Sequence, residues 1–250
     1  MQTTNIRYKL GLYGGQIILV IFLLCGLSQR SLSQGMNFGK LHLPAYDERW
    51  LHYGFLIGAH QSFYRIDYNE AFTTPSFDSL HSVVPAMNAG FKLGFVVDFM
   101  LYQYLSLRIT PTVSFYENDI KYRFTDGTTR TETKDATLVE LPILLKYRSV
   151  RRKNNRMYLL IGASPVIEAA GSKDENDVRE RLETRNFNVN LEVGVGTDIF
   201  YEFFKFAVEL RYSRGLRNLL STKENIYSAP LSKLTLHNIG LFITFEGGPS

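Results

Sequence analysis

A two-residue period repeats eight times along this chain, and no other feature restricts its fold as much. Apolar side chains occupy alternate positions from Leu51 to Ala59, Met87 to Phe99, Leu105 to Phe115 and Val139 to Tyr147. They do so again from Met157 to Ile167, Phe187 to Ile199, Phe204 to Tyr212 and Ile239 to Phe245. Period two is the strand period. No sustained helical period competes with it after residue 50, apart from a turn or two between Asp177 and Thr184. The expectation is an all-β chain of eight antiparallel strands in one domain.

The links between these strands alternate in length. Short ones run from Leu101 to Gln103, Ser149 to Asn155 and Phe200 to Phe203. Long ones run from Asp67 to Val83, Asn118 to Ala136, Ala170 to Arg185 and Gly215 to Leu231. Strict alternation is the pattern of an up-and-down transmembrane barrel, with short periplasmic turns and long outer loops. A soluble barrel would also alternate, so the two faces must decide. The apolar face carries no charge in any strand core, as lipid requires, since Arg or Lys at the bilayer midplane costs ~2–4 kcal/mol. The other face is rich in glycine and pairs its signs. Its acids are Asp98, Glu140, Glu168, Glu192, Asp198 and Glu209, and its bases are Lys92, Arg108, Lys146, Arg148, Lys205 and Arg211. A balanced, glycine-rich face suits the inside of a narrow barrel better than a solvated surface. Eight strands leave just enough room for side chains to fill the lumen, so an open channel is not expected. Pro111, Pro142 and Pro165 predict bulges or breaks, because proline removes a ladder donor. Asp126-Gly127 suggests a tight turn. A two-residue turn there would put the facing strands out of phase, so a bulge or an odd-length loop is required.

The first 33 residues read as a secretory signal. Arg7 and Lys9 precede an apolar run from Ile17 to Leu27, followed by small serines, with cleavage expected between Ser33 and Gln34. A lipoprotein signal at Cys25 fits less well, because Leu24 occupies a position that wants a small residue. Residues 34–49 then form a short periplasmic arm, 50–247 the barrel and 248–250 a tail. The formal charge of +4 falls by three to +1 once Arg7, Lys9 and Arg30 leave. The basic pI is thus mostly a property of the signal and argues for no nucleic-acid partner. Export by the Sec route to the outer membrane of a Gram-negative bacterium follows, with the lipid bilayer and lipopolysaccharide as surroundings. Phe245, with Leu241 and Ile243 behind it, supplies the terminal aromatic pattern of outer-membrane strands.

Chemistry is sparse. His52 and His60 share a face but lie eight residues apart, roughly 26 Å along a strand and too far for one metal. His237 with Ser232 is the only pairing that suggests a lipid hydrolase. Asp174, Glu175 and Asp177 lack the spacing of a calcium loop. The expectation is a protein without catalytic site, metal, cofactor or small-molecule substrate. The basic run Arg151, Arg152, Lys153 and Arg156 is a candidate periplasmic docking turn for anionic headgroups or a partner.

Several stretches resemble one family. Leu43 to Phe63 (LPAYDERWLHYGFLIGAHQSF), Arg108 to Phe115 (RITPTVSF), Val139 to Tyr158 (VELPILLKYRSVRRKNNRMY), Asp198 to Leu220 (DIFYEFFKFAVELRYSRGLRNLL) and Phe242 to Gly247 (FITFEG) are similar to the PorT/SprT proteins of Bacteroidota. The resemblance spans residues 43 to 247. It implies an outer-membrane component of the type IX secretion system, with other secretion components as partners. Such proteins are needed for export of cargo and, in gliding relatives, of adhesins. It brings no catalytic residues. A generic small barrel that stabilises the envelope or adheres through its loops is the alternative.

Overall fold

The computed structural model describes residues 40–68, 80–125, 127–171, 185–220 and 231–247. The segment expected to be a secretory signal, with Ser33 and Gln34, the cluster Asp174, Glu175 and Asp177, and residues 248–250 lie outside them. Leu41 to Arg49 fall in one compact unit with the strands that follow.

Eleven strand segments are present: β1 (Leu51–Tyr68), β2 (Leu80–Pro85), β3 (Asn88–Tyr102), β4 (Leu105–Ile109), β5 (Thr112–Phe124), β6 (Thr129–Glu140), β7 (Ile143–Arg148), β8 (Asn155–Gly171), β9 (Phe187–Phe200), β10 (Phe204–Gly215) and β11 (Leu231–Gly247). They make eight passes, because β2 and β3, β4 and β5, and β6 and β7 each continue one another. All pairings are antiparallel between neighbours in the chain, and β1 pairs with β11 to close the ring.

The register fixes the shape. From His52 the cross-strand partners run Asp98, Arg108, Leu144, Gly162, Glu192, Ser213 and Asn238, and then return to β1 at Ser62. One circuit therefore climbs ten residues, from 52 to 62. At ~3.3 Å per residue and ~4.8 Å between strands, this stagger over eight passes tilts the strands by about 40° and gives a backbone radius of roughly 8 Å. Such a barrel is filled by its own side chains.

Every strand points its odd or even set as the period required. On β1, Tyr53, Phe55 and Ile57 are exposed while His52, Leu56 and His60 are buried. An outward apolar band encircles the molecule, with Trp50, Tyr53, Tyr102, Tyr147, Tyr201 and Phe203 exposed at the short-turn rim. This matches the aromatic girdle of membrane barrels.

Two of the three prolines give the expected breaks. The segments part at Thr110-Pro111 and Leu141-Pro142, but the register is the same on both sides, so these are breaks without bulges. The carbonyls still work: Pro111 O accepts from Phe95 N and Pro142 O from Thr110 N, both at 3.0 Å. Pro165 sits in unbroken β8, opposite Val189. The second outer link is also shorter than its sequence suggested. β5 and β6 extend past the ring as a hairpin, with Arg123 opposite Thr129 and an odd number of residues between them. Gly127, at φ 86°, makes the turn. β2 adds to this hairpin beside β5.

The inward glycines mark close approach. A Cβ on Gly162 would lie 2.0 Å from the Ile143 carbonyl oxygen of the facing strand, and backbone cannot move aside. Gly162→Ala is therefore expected to cost ~1–3 kcal/mol, read from urea titration of the folded, heat-modifiable gel band in lipid vesicles. Ala163→Val, on the lipid side of the same strand, should be neutral in that assay.

Candidate functional site

The interior is built in layers, and the largest is ionic. Arg108, on β4, is fully buried. Its guanidinium donates to Asp98 on β3 (2.8 Å), Glu246 on β11 (2.9 Å) and Glu209 on β10. Each carboxylate is shared with another cation or donor. Lys146 on β7 reaches Asp198 at 3.0 Å and Asp98 at 3.8 Å. Lys205 reaches Glu246 at 2.6 Å and Asp198 at 3.5 Å. Arg211 pairs with Glu209, which also accepts from the Tyr158 hydroxyl at 2.6 Å. The Lys146 ammonium stands 3.8 Å from the centre of the Tyr158 ring, a cation–π contact. Charges taken out of water are tolerable only with this degree of pairing.

Above it, Lys92 binds Glu140 at 2.7 Å, and Glu140 accepts from the Tyr116 hydroxyl at 2.9 Å. Glu192 is buried in the field of Lys92 and Arg211. Of the twelve charges expected inside, eleven are buried; Glu168 is half-buried and lines a cavity toward the long loops. Arg156 and Glu246 join them, one of each sign, so the balance is kept.

The outer half of the lumen departs from the expected polar face. Tyr64, Tyr116, Ile120, Leu231, Leu234 and Leu236 form an apolar cluster there, completed by Leu219 and Leu220 from the segment after β10. That segment is tied down by backbone bonds, Leu219 N to Leu234 O and Arg185 N to Leu219 O, each 2.9 Å.

The short-turn end is closed by the chain itself. Pro44–Glu48 forms a 3₁₀ turn, started by the fixed φ of Pro44, that seats Tyr46 in the mouth of the barrel. The Tyr46 hydroxyl donates to Glu246 at 2.7 Å, and its ring stacks on His52 with centroids 4.0 Å apart. Burial and the Glu246 carboxylate push the Tyr46 phenol well above its ordinary pKa, so it remains a donor. Asp47 faces Arg156 at 2.8 Å and Arg148 at 3.5 Å.

This changes the reading of the basic turn. Arg156 is a lumen residue. Arg151 holds the arm: it donates to Leu43 O at 3.1 Å and to His42 O, and lies over the Phe200 ring at 3.6 Å. Burial pulls the Arg151 guanidinium below its ordinary pKa. Only Arg152 and Lys153 of the four are exposed. The run is not one docking surface, because a tight turn with Lys153 at φ 56° splits its directions. The hydrolase pairing also fails. Ser232 donates to the Asp67 and Tyr68 carbonyls, whereas His237 bonds the Tyr212 hydroxyl at 2.7 Å on the outward face. Ser232 sits at a bulge near the start of β11, five residues from His237, and each is bound to a different partner. Among the described residues no group of His, Cys, Asp and Glu could hold a metal.

The period-two rule contained Arg156, Glu246, Tyr116 and Tyr158, each one position past or within a recognised row. Tyr46 and Asp47 had no such signal.

Residues 29–221 match the family model described as the outer membrane protein beta-barrel domain. No curated protein matches the chain. Solved structures similar to it include OprG from Pseudomonas aeruginosa, at 11% identity and a TM-score of 0.49 over 78% of this chain and 95% of that one. Neisserial surface protein A aligns at 10% identity and 0.37, over 76% and 95%. Ail of Yersinia pestis aligns at 14% and 0.36, over 78% and 97%.

Arg108→Met would leave three buried carboxylates short of a cation. It is expected to destabilise the barrel by ~3–5 kcal/mol in vesicle unfolding titrations. Tyr46→Phe removes one hydrogen bond from a carboxylate that keeps two cations and should cost only ~1 kcal/mol. In planar bilayers the wild-type barrel and a Tyr46→Ala/Asp47→Ala variant should both be electrically silent, because the ionic layer closes the lumen without the arm. Steady conductance from the wild type would contradict this reading.

Proposed function

The chain belongs to the outer-membrane β-barrel protein family, and from that premise we propose that it serves the type IX secretion system as a docking or stabilising component rather than as the conduit. The observation that carries the second half is the filled lumen. Arg108 and its three carboxylates occupy the space a substrate would need, and a barrel of about 8 Å backbone radius has no second path. The first half rests on the resemblance to PorT/SprT proteins over residues 43–247.

A barrel without a channel acts through its outside. The arm from Leu43 to Asp47 is engaged in the mouth, so its role is closure. The surfaces left for partners are the outer hairpin of β5 and β6 with β2, the loops at that end, and Arg152 and Lys153 at the other. The hairpin equally suits the alternative reading, a small barrel that adheres or stabilises the envelope. Arrival by the Sec route is part of the same proposal.

Deleting the gene separates the two readings. The expected result is that cargo bearing C-terminal sorting domains accumulates in the periplasm while outer-membrane permeability to small solutes is unchanged. Purification from detergent should bring other secretion components along with the tagged chain. Normal surface delivery of cargo in the deletion strain would sink the secretion reading.

A further inference from the structure

The lipid-facing wall is not chemically uniform around its outer rim. On β1, β11 and β10 the outward set is odd, odd and even, which places Arg65, Lys233 and Arg214 on one outside patch. Arg65 stands opposite Thr235, Asp67 opposite Lys233, and Phe63 and Arg214 flank His237 from either side. From strand spacing and rise, the three cations leave the backbone roughly 8–14 Å from one another. All three are exposed, and among the described residues none of them forms an ion pair, Asp67 notwithstanding.

Beneath the cations lies a shelf. His237 is packed flat against Phe63, with centroids 5.3 Å apart, and is tied to Tyr212, which leaves it 5% exposed. Beneath the shelf, Ile239, Leu241 and Leu210 are exposed apolar wall. The order from rim to midplane is thus cation, aromatic shelf, hydrocarbon. The opposite sector differs. On β5 and β6 the outward set at the same end includes Glu117, Asp119 and Asp135 beside Lys121 and Arg123, with Glu117 directly facing Asp135. A requirement for solubility at the rim would not leave three cations against one acid, Asp67, on one side and three acids against two cations on the other.

We propose that the β1–β11–β10 patch is a binding site for a phosphorylated saccharolipid of the outer leaflet, the lipid A portion of lipopolysaccharide. The two guanidiniums suit the bidentate geometry of phosphate, and Lys233 adds a point charge. The acyl chains would lie along Leu210, Ile239 and Leu241. Cations at the interface level cost far less than at the midplane, and anionic headgroups turn that small cost into a gain.

The test uses the full mature chain, released from nanodiscs containing bis-phosphorylated lipid A, with retained lipid counted by native mass spectrometry. The wild type is expected to retain it. Arg65→Gln/Arg214→Gln/Lys233→Gln should retain at least tenfold less, whereas Lys121→Gln/Arg123→Gln should match the wild type. Enzymatically dephosphorylated lipid A should not be retained by the wild type. Equal retention of the phosphorylated and dephosphorylated lipids overturns the proposal, as does an unchanged triple variant or an equal loss in the Lys121/Arg123 control. If the triple variant does not fold, the dephosphorylated lipid on the wild type still decides. None of these outcomes depends on the secretion reading.

Discussion

Charge compensation inside a closed ring is the constraint on which the rest of this molecule depends. Arg108 on β4 is held by carboxylates from β3, β10 and β11, so one guanidinium braces four strands across the lumen. The second partners of those acids, Lys146, Lys205 and Arg211, bring in β7 and β10 again, and Asp198 carries the bracing to β9. No member is satisfied by its own strand alone, except where Arg211 meets Glu209 two residues away. The network is therefore complete only when the ring has closed between β1 and β11. A ring that buried these charges without bringing their partners together would cost far more than leaving them in water. Closure and compensation stabilise each other, and that coupling is a source of cooperativity.

The geometry of the ring sets what the network can be. A stagger of ten residues over eight passes leaves a lumen about as wide as two facing long side chains. Within that width, Arg and Lys from one wall meet Asp and Glu from the other. A wider barrel would need water between them and would conduct. The inward glycines belong to the same constraint: at Gly162 the facing backbone is too near to admit even a methyl group.

Much of this was legible before any coordinates. Lipid outside and charge inside impose parity, and parity placed both faces of all eight passes, including the buried Lys146 and Asp198. The failures have physical causes. Arg156 looked like turn chemistry because it follows three other bases, and only its even parity on β8 told otherwise. Pro111 and Pro142 gave breaks, one of the two outcomes expected, because a missing N–H can be left out of a ladder without moving the register when the carbonyl still accepts; only Pro165, in unbroken β8, departs from the expectation. The apolar cluster beneath the long loops was hidden because Leu219 and Leu220 come from a segment with no period. Tyr46 and Asp47 were invisible for a different reason. Their role depends on the diameter of a mouth formed by strands up to 200 residues away, and no local pattern encodes that.

The two ends of the lumen are closed by different physics, and this separates the arm from the foundation of the barrel. At the long-loop end, leucines and tyrosines exclude water from above the Lys92–Glu140 pair. At the other end, the arm adds Tyr46 and Asp47 to a central layer that is already compensated, and Asp47 also gives the rim residue Arg148 its ion pair. Glu246 keeps Lys205 and Arg108, and Arg156 keeps Asp198. Withdrawing the arm would expose the Tyr46 ring, leave Glu246 one donor short and leave Arg148 with only the Tyr102 and Gln103 carbonyls, while the pairings of the central layer would stay intact. The arm is thus a seal laid on a finished network. Its hold combines an aromatic stack, a buried hydroxyl, two ion pairs to a half-exposed Asp47, and hydrogen bonds from Arg151 and His52 to its backbone carbonyls. A partner acting at the short-turn end would meet this seal first, and displacing it would change the surface of the barrel without opening a passage through it.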